Sequence, residues 1–274
     1  MTVSYLANAK INIGLNVIEK RSDGYHNLET VFYPLPVHDE LIVEANARID
    51  NDCRLEVEGL QLATTDEDNL IIKAYRLLQQ DFALGKTRVM LKKNIPFGAG
   101  LGGGSSDAAF MLKALNELYQ LQLSPGRMET YAVKLGADCP FFIRNQPVFA
   151  TGIGNIFSPL QISLEGYRFV LIKPDIHVST PKAYAGVRPG RPVHSLYESI
   201  QLPLSEWRGR IVNDFEASVV KKYPYIGELK DYLYRSGAVY ATMSGSGSSV
   251  IGIFANGQSL PELPARLVAF KGKF

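Results

Sequence analysis

Apolar and polar or small residues alternate along Ala9-Lys10-Ile11-Asn12-Ile13-Gly14-Leu15-Asn16-Val17, the period of a strand that buries one face. Turn chemistry follows at Ser22-Asp23-Gly24-Tyr25-His26-Asn27, and extended runs resume at Thr30–Tyr33, Leu41–Ala45 and Arg54–Glu58. The spacing becomes helical over Asn69–Leu78, with Asp66 or Asp68 expected as the N-terminal cap, and Thr87–Leu91 returns to strand. Ala108, Met111 or Leu112, Leu115 and Leu118 recur at helical spacing, and Met128–Leu135 predicts another helix closed by Gly136. Beyond about residue 155 the pattern restarts, with a strand at Arg168–Ile172, helices around 182–190 and 214–222, and a glycine-serine loop at 244–249. Strands and helices that mix without strict βαβ alternation predict an α+β fold. At 274 residues two domains are expected, 1–157 and 158–274, joined near Pro159–Gly166.

Composition narrows the class. The chain is 46% hydrophobic and 20% charged, the usage of a globular protein rather than a disordered one. Its 29 Lys and Arg against 27 Asp and Glu leave a net charge of +2, which makes no electrostatic case for binding nucleic acid or an anionic membrane surface. No apolar run approaches the roughly 18 residues of a membrane span, and the opening Met1–Lys10 lacks the pattern of a signal peptide. Cys53 and Cys139 have no CxxC partner, so a reducing, cytoplasmic setting is expected, with Cys139 a small core residue. His38, His177 and His194 share no metal-ligand spacing, and no protein metal site is predicted. Nothing in the sequence sets the oligomeric state.

The densest special feature is Pro96-Phe97-Gly98-Ala99-Gly100-Leu101-Gly102-Gly103-Gly104-Ser105-Ser106-Asp107, which opens directly into the helix over 108–118. So many glycines are costly to order, and the cost is justified where backbone N–H groups must approach a ligand that a Cβ would obstruct. With a helix N-terminus behind them they form an anion cradle, for which phosphate is the natural occupant. Gly98 to Gly103 satisfies G-x-G-x-x-G, but the following helix leads to Leu121–Pro125 and a second helix, not to the strand a dinucleotide fold requires. Gly85-Lys86-Thr87 has Gln80 where the Walker loop needs glycine. Both familiar phosphate motifs fail.

Phosphoryl transfer asks the protein for a cradle, a metal and a group that orients or deprotonates the acceptor. Asp138, in Gly136-Ala137-Asp138-Cys139-Pro140-Phe141-Phe142, is an acid among small and aromatic residues. By itself it fits a reactive carboxylate and a turn cap before Pro140 equally. Lys10 lies in a buried-looking strand, where a lysine reaching solvent from an edge strand is the plainer reading.

Taken in order, Ala9–Asn12, Asp23–His26, Gly98–Ser106, Gly136–Phe142 and Met243–Ser248 resemble the signatures of the GHMP kinase superfamily, and they run across nearly the whole chain. They look most like the branch whose acceptor is a cytidylyl methylerythritol of the non-mevalonate isoprenoid pathway. The resemblance implies a two-domain α+β kinase with its active site in the cleft between domains, using ATP and Mg2+ on a small-molecule alcohol. It implies that Asp138 is the general base and that Lys10 keeps it ionised. Pro96, Gly98, Gly100, Leu101, Gly102, Gly103, Gly104, Ser105 and Ser106 would bind ATP, the run from Gly100 to Ser106 at its phosphates, with Asn69 and Lys93 beside adenine and Lys92 the alternative to Lys93. Tyr25 would stack on the cytosine, His26 would read its edge, and Tyr184 would supply the opposing face, while Asn12 and Thr180 would contact the substrate's polar groups. Magnesium would be held by phosphate oxygens and water. Ala99, where relatives commonly have glycine, is expected to keep a negative φ. Two rivals stand beside this reading: a kinase for mevalonate, homoserine or a sugar, and a silent nucleotide sensor.

Overall fold

The computed structural model describes residues 1–60, 66–264 and 267–274. Two long paired strands, β1 (Thr2–Lys20) and β2 (His26–Ala45), open the chain. The turn between them closes where Arg21 N–H donates to the Tyr25 carbonyl at 2.8 Å. The period of two in β1 is present, but both faces are buried from Ala7 to Val17, which corrects the expectation of one buried face. The second face holds Asn8, Lys10, Asn12 and Asn16 out of water. Hydrogen bonds compensate, with Asn8 paired to Asn145 and Asn12 to Thr30.

The chain folds into two compact units. Met1–Ala9, Val37–Phe97 and Gly102–Gln146 form one, and Lys10–Pro36, Gly98–Leu101 and Pro147–Phe274 form the other. The units therefore do not part at a single boundary near residue 157. β1, β2 and the glycine loop each give residues to both, because a strand of 19 or 20 residues is long enough to serve two cores.

In the first unit β3 (Cys53–Gly59) runs parallel to β4 (Thr87–Lys93), which pairs antiparallel with the end of β2 from Glu40↔Lys92 to Ala45↔Thr87. Between β3 and β4 lies α1 (Leu70–Gln79), whose Ile71, Ile72, Tyr75 and Leu78 form the buried stripe of an amphipathic helix. Its cap is Asn69, not Asp66 or Asp68: Asn69 Oδ1 accepts the Ile71 N–H at 2.9 Å. α2 (Gly103–Leu118) packs on α1, and α3 (Pro125–Leu135) packs on both, started by Ser124 and Pro125 and closed at Gly136. The short α4 (Phe141–Arg144) then packs against α2 and α3.

In the second unit the start of β2 pairs antiparallel with β5 (Val148–Thr151), and β5 with β6 (Ile156–Pro159). A second sheet is built from β7 (Arg168–Lys173), β8 (Tyr240–Met243), β9 (Val250–Phe254) and β10 (Val268–Lys273), in the antiparallel order β10-β7-β9-β8. Between β7 and β8 come α5 (Thr180–Ala185), α6 (Leu196–Ser199), α7 (Phe215–Lys222) and α8 (Pro224–Arg235). α5 is shorter than the helix expected over 182–190, since Gly186 caps it and Pro189 follows. Val170, Ile172, Phe215, Leu233, Val250 and Phe254 share one buried core with Leu15 and Val17.

Candidate active site

The glycine loop alternates in handedness. Gly98, Gly100 and Gly102 have φ of 62°, 75° and 70°, whereas Ala99 and Leu101 do not take positive φ. Left-handed backbone at every second residue is affordable only to glycine, and the one alanine sits on an ordinary position, as expected. At Gly100 the geometry is doubly exclusive, because a Cβ there would run into the Ser244 carbonyl.

Within the second unit, Gly98–Leu101 is sewn to β1 and to the loop after β8. Lys10 N–H donates to the Leu101 carbonyl at 2.9 Å, and Ser249 N–H to that of Ala99 at 3.4 Å. Ser244 Oγ accepts the Asn12 N–H at 3.1 Å and donates to the Gly100 carbonyl at 2.8 Å. The Lys10 ammonium is buried, 2.6 Å from Asn12 Oδ1 and 4.6 Å above the Phe32 ring, so it is no surface lysine. Asn12 Nδ2 donates to Thr30 Oγ1 at 2.9 Å, which donates in turn to the Gly14 carbonyl at 2.6 Å. Thr180 Oγ1 lies 3.0 Å from Ser246 Oγ, and the Lys10, Asn12 and Thr180 positions thus converge on the two glycine loops.

Asn213 was not signalled by the sequence. Its Nδ2 donates to the Met243 and Gly245 carbonyls, both at 2.8 Å, while its Oδ1 accepts the Phe215 N–H. It fixes the loop after β8 to the start of α7. A lone asparagine before a helix carries no sequence mark beyond capping, so only the fold reveals this use.

The aromatic residues lie at the turn between β1 and β2 and on α5. His26 and Tyr184 stack on one another, with ring centroids 4.8 Å apart and planes at 19°, and Phe215 meets Tyr184 edge-on. Tyr25 is exposed. The turn beneath it is held by Asp23, which accepts the Tyr25 N–H and pairs with Arg21; that guanidinium holds the Asp23 carboxyl below its usual range.

Within the first unit, α2 begins without a side-chain cap. Gly102 occupies the N-cap in the left-handed region, so the serines of the loop do not close the helix. The amides at Gly103, Gly104 and Ser105 are the orphan donors of a helix N-terminus. Ser106 is different: its N–H donates to the Gly102 carbonyl at 2.8 Å, while its buried hydroxyl has no hydrogen-bond partner among the described residues. The Ser105 hydroxyl is hydrogen-bonded to the Cys139 thiol, which places the Gly136–Pro140 turn carrying Asp138 beside this N-terminus. Cys139 itself is buried, and burial pushes its thiol up to about 12, as befits a core residue rather than a nucleophile.

Asn69 caps α1 through its side-chain oxygen, a bond that does not use its amide nitrogen. One adenine assignment needs correction. Lys93 is buried, with its ammonium bonded to Asp39 and Asp107, so its stem is not available to an adenine ring; Lys92 is the exposed neighbour. Pro96 is half-buried and Leu101 is buried, leaving Leu101 a backbone role in the loop.

The GHMP kinases N terminal domain model matches residues 69–146, and the GHMP kinases C terminal model matches residues 199–272. A Bacteroides thetaiotaomicron protein named 4-diphosphocytidyl-2-C-methyl-D-erythritol kinase is 54% identical over 268 residues, 97% of this chain and 98% of its own. One of the same name from Parabacteroides distasonis is 54% identical, with 90% of each chain covered. A crystal structure of 4-(cytidine 5'-diphospho)-2C-methyl-D-erythritol kinase superimposes with a TM-score of 0.76 at 33% identity, covering 92% of this chain and 90% of the other.

Proposed function

The chain belongs to the GHMP kinases, ATP-dependent phosphotransferases, and from that premise we propose that it transfers the γ-phosphoryl group of ATP to the 2-hydroxyl of 4-diphosphocytidyl-2-C-methyl-D-erythritol. The observation that carries the reading is the uncapped N-terminus of α2 with the Asp138 turn hydrogen-bonded beside it through Ser105 and Cys139. Anion cradle and carboxylate are the two parts a phosphoryl transfer needs from the protein.

In this reading the free amides of Gly103 to Ser105, with the glycines before them, hold the nucleotide phosphates. Asp138 takes the proton of the acceptor hydroxyl, which is crowded by a methyl group on the same carbon and reacts only when well oriented. Lys10, buried and bonded through its backbone to Leu101 of the glycine loop, offsets charge developing near the transferred group. Tyr25, His26 and Tyr184 receive the cytosine ring, and Asn12 and Thr180 bind polar groups of the substrate. Mg2+ would come with the nucleotide, held by its phosphate oxygens and water, and would neutralise phosphate charge. No described helix is long and apolar enough to cross a membrane. The free thiols of Cys53 and Cys139 support a reducing, cytoplasmic setting.

ADP release measured with the cytidylyl substrate beside mevalonate, homoserine and galactose tests the assignment. Turnover confined to the cytidylyl acceptor is expected. Preferred turnover of another acceptor overturns it, and nucleotide binding without turnover of any acceptor would make the chain a sensor.

A further inference from the structure

Three ionisable side chains beneath the glycine loop are buried together. Lys93 at the end of β4, Asp39 on β2 and Asp107 on α2 are 2%, 0% and 3% exposed. Lys93 Nζ donates to Asp107 Oδ2 at 2.8 Å and to Asp39 Oδ2. Asp39 Oδ1 accepts the N–H groups of Asn94 at 2.6 Å and Ile95 at 2.8 Å. Asp39 thus grips the backbone leading into the loop, Asp107 sits on the helix leading out of it, and one ammonium ties the two. Gly103 comes so near this cation that a Cβ there would lie 3.0 Å from Lys93 Nζ and 2.9 Å from Ile95 Cγ2.

Burying three charges is an expensive way to hold two elements together, since apolar side chains of similar volume would do so without desolvating ions. What ions add is direction, because a hydrogen-bonded cation fixes its partners at one distance and angle. They also settle the local charge. An aspartate in the second turn of α2 would by itself oppose an anion at the helix N-terminus, and Lys93 offsets it.

We propose that Lys93, Asp39 and Asp107 are positioning residues for the phosphate nest: the clamp holds both ends of the glycine loop and aims the first turn of α2 at the nucleotide. This rests on the reading of that turn as the ATP phosphate site. Asp107 Oδ1 has no hydrogen-bond partner among the described residues, so an asparagine can keep its oxygen on Lys93 and put its amide nitrogen where Oδ1 now lies.

The test compares Asp107→Ala with Asp107→Asn in the whole protein. Expected for Asp107→Ala is a KM for ATP raised about tenfold or more with the KM for the acceptor within about twofold, and faster amide hydrogen exchange over residues 104–107 in the nucleotide-free protein. Asp107→Asn is expected to restore all three to within about threefold of wild type. Should Asp107→Ala not fold, Asp107→Ser, which is too short to reach Lys93, takes its place under the same criteria. The clamp is overturned if the KM for ATP and the exchange stay at wild-type values, if both KM values rise together, or if the asparagine variant is as impaired as the alanine one. Wild-type protein without ATP-saturable turnover would instead sink the kinase reading, and the exchange measurement still decides the clamp.

Discussion

The Ser244 hydroxyl donates to the Gly100 carbonyl at 2.8 Å, and the Ser244 carbonyl lies where a Gly100 side chain would begin. Two backbones approach as closely as they can, one from the loop before α2 and one from the loop after β8. Gly100→Ala meets both a φ of 75° and this collision, so a loss of about 1–3 kcal/mol in stability is expected, with kcat/KM for ATP falling at least tenfold. Gly104 is the control, since a Cβ there meets nothing within 4 Å. Gly104→Ala should keep the wild-type melting temperature and lose ATP affinity alone, because only the nucleotide would meet the added methyl. Thermal unfolding beside ATP titration separates the two, and equal stability losses in both variants would refute the account.

Asp138→Asn keeps the shape of the Gly136–Pro140 turn and removes the base. A fall in kcat of roughly 10²–10⁴ is expected with KM for ATP little changed. Single-turnover ADP formation is the measurement. A rate near wild type would assign Asp138 to the turn alone.

Much of this was legible in the chain, and the errors have identifiable causes. Residues 66–69 read Asp-Glu-Asp-Asn, three of them good caps, and only the backbone shows that Asn69 has the position. The polar face of β1 reads as solvated because its side-chain partners, Thr30 and Asn145, lie far along the sequence. Lys93 is the instructive case. The strand period puts it in line with Thr87, Val89 and Leu91, all buried, and puts Lys92 on the other face. That alternation argues against an adenine contact for Lys93. The interleaving of the two units has no local signature, since it depends on β1 and β2 each serving two cores.

His26 and Tyr184 stack on each other, a ring contact worth about 0.5–1.5 kcal/mol, so a cytosine that takes the place of either ring has to exceed that with its own stacking and hydrogen bonds. His26→Ala and Tyr184→Leu should each raise the KM for the cytidylyl acceptor about tenfold while the KM for ATP stays put. Steady-state kinetics with each substrate varied in turn checks this. An unchanged acceptor KM in both variants would remove the pyrimidine site from this pair.

Asp107 also gives the protein a pH signature. Burial pushes its carboxyl up to about 7 and Asp39 adds to the rise, against the pull of Lys93, the other charged group facing it. The folded state therefore binds this proton more tightly than the unfolded chain, whose carboxyl titrates near 4. Stability from this group is complete below about pH 4 and is lost as the pH rises toward about 7. Asp107→Asn removes the titration and leaves every other group in place. Wild-type stability relative to the variant should decline from pH 4.5 to about 7 and then level off, read as the difference between their urea midpoints. A difference that stays constant across that range would mean that the carboxyl ionises as freely in the folded protein as in the unfolded chain, and that the ammonium of Lys93 fully offsets the burial.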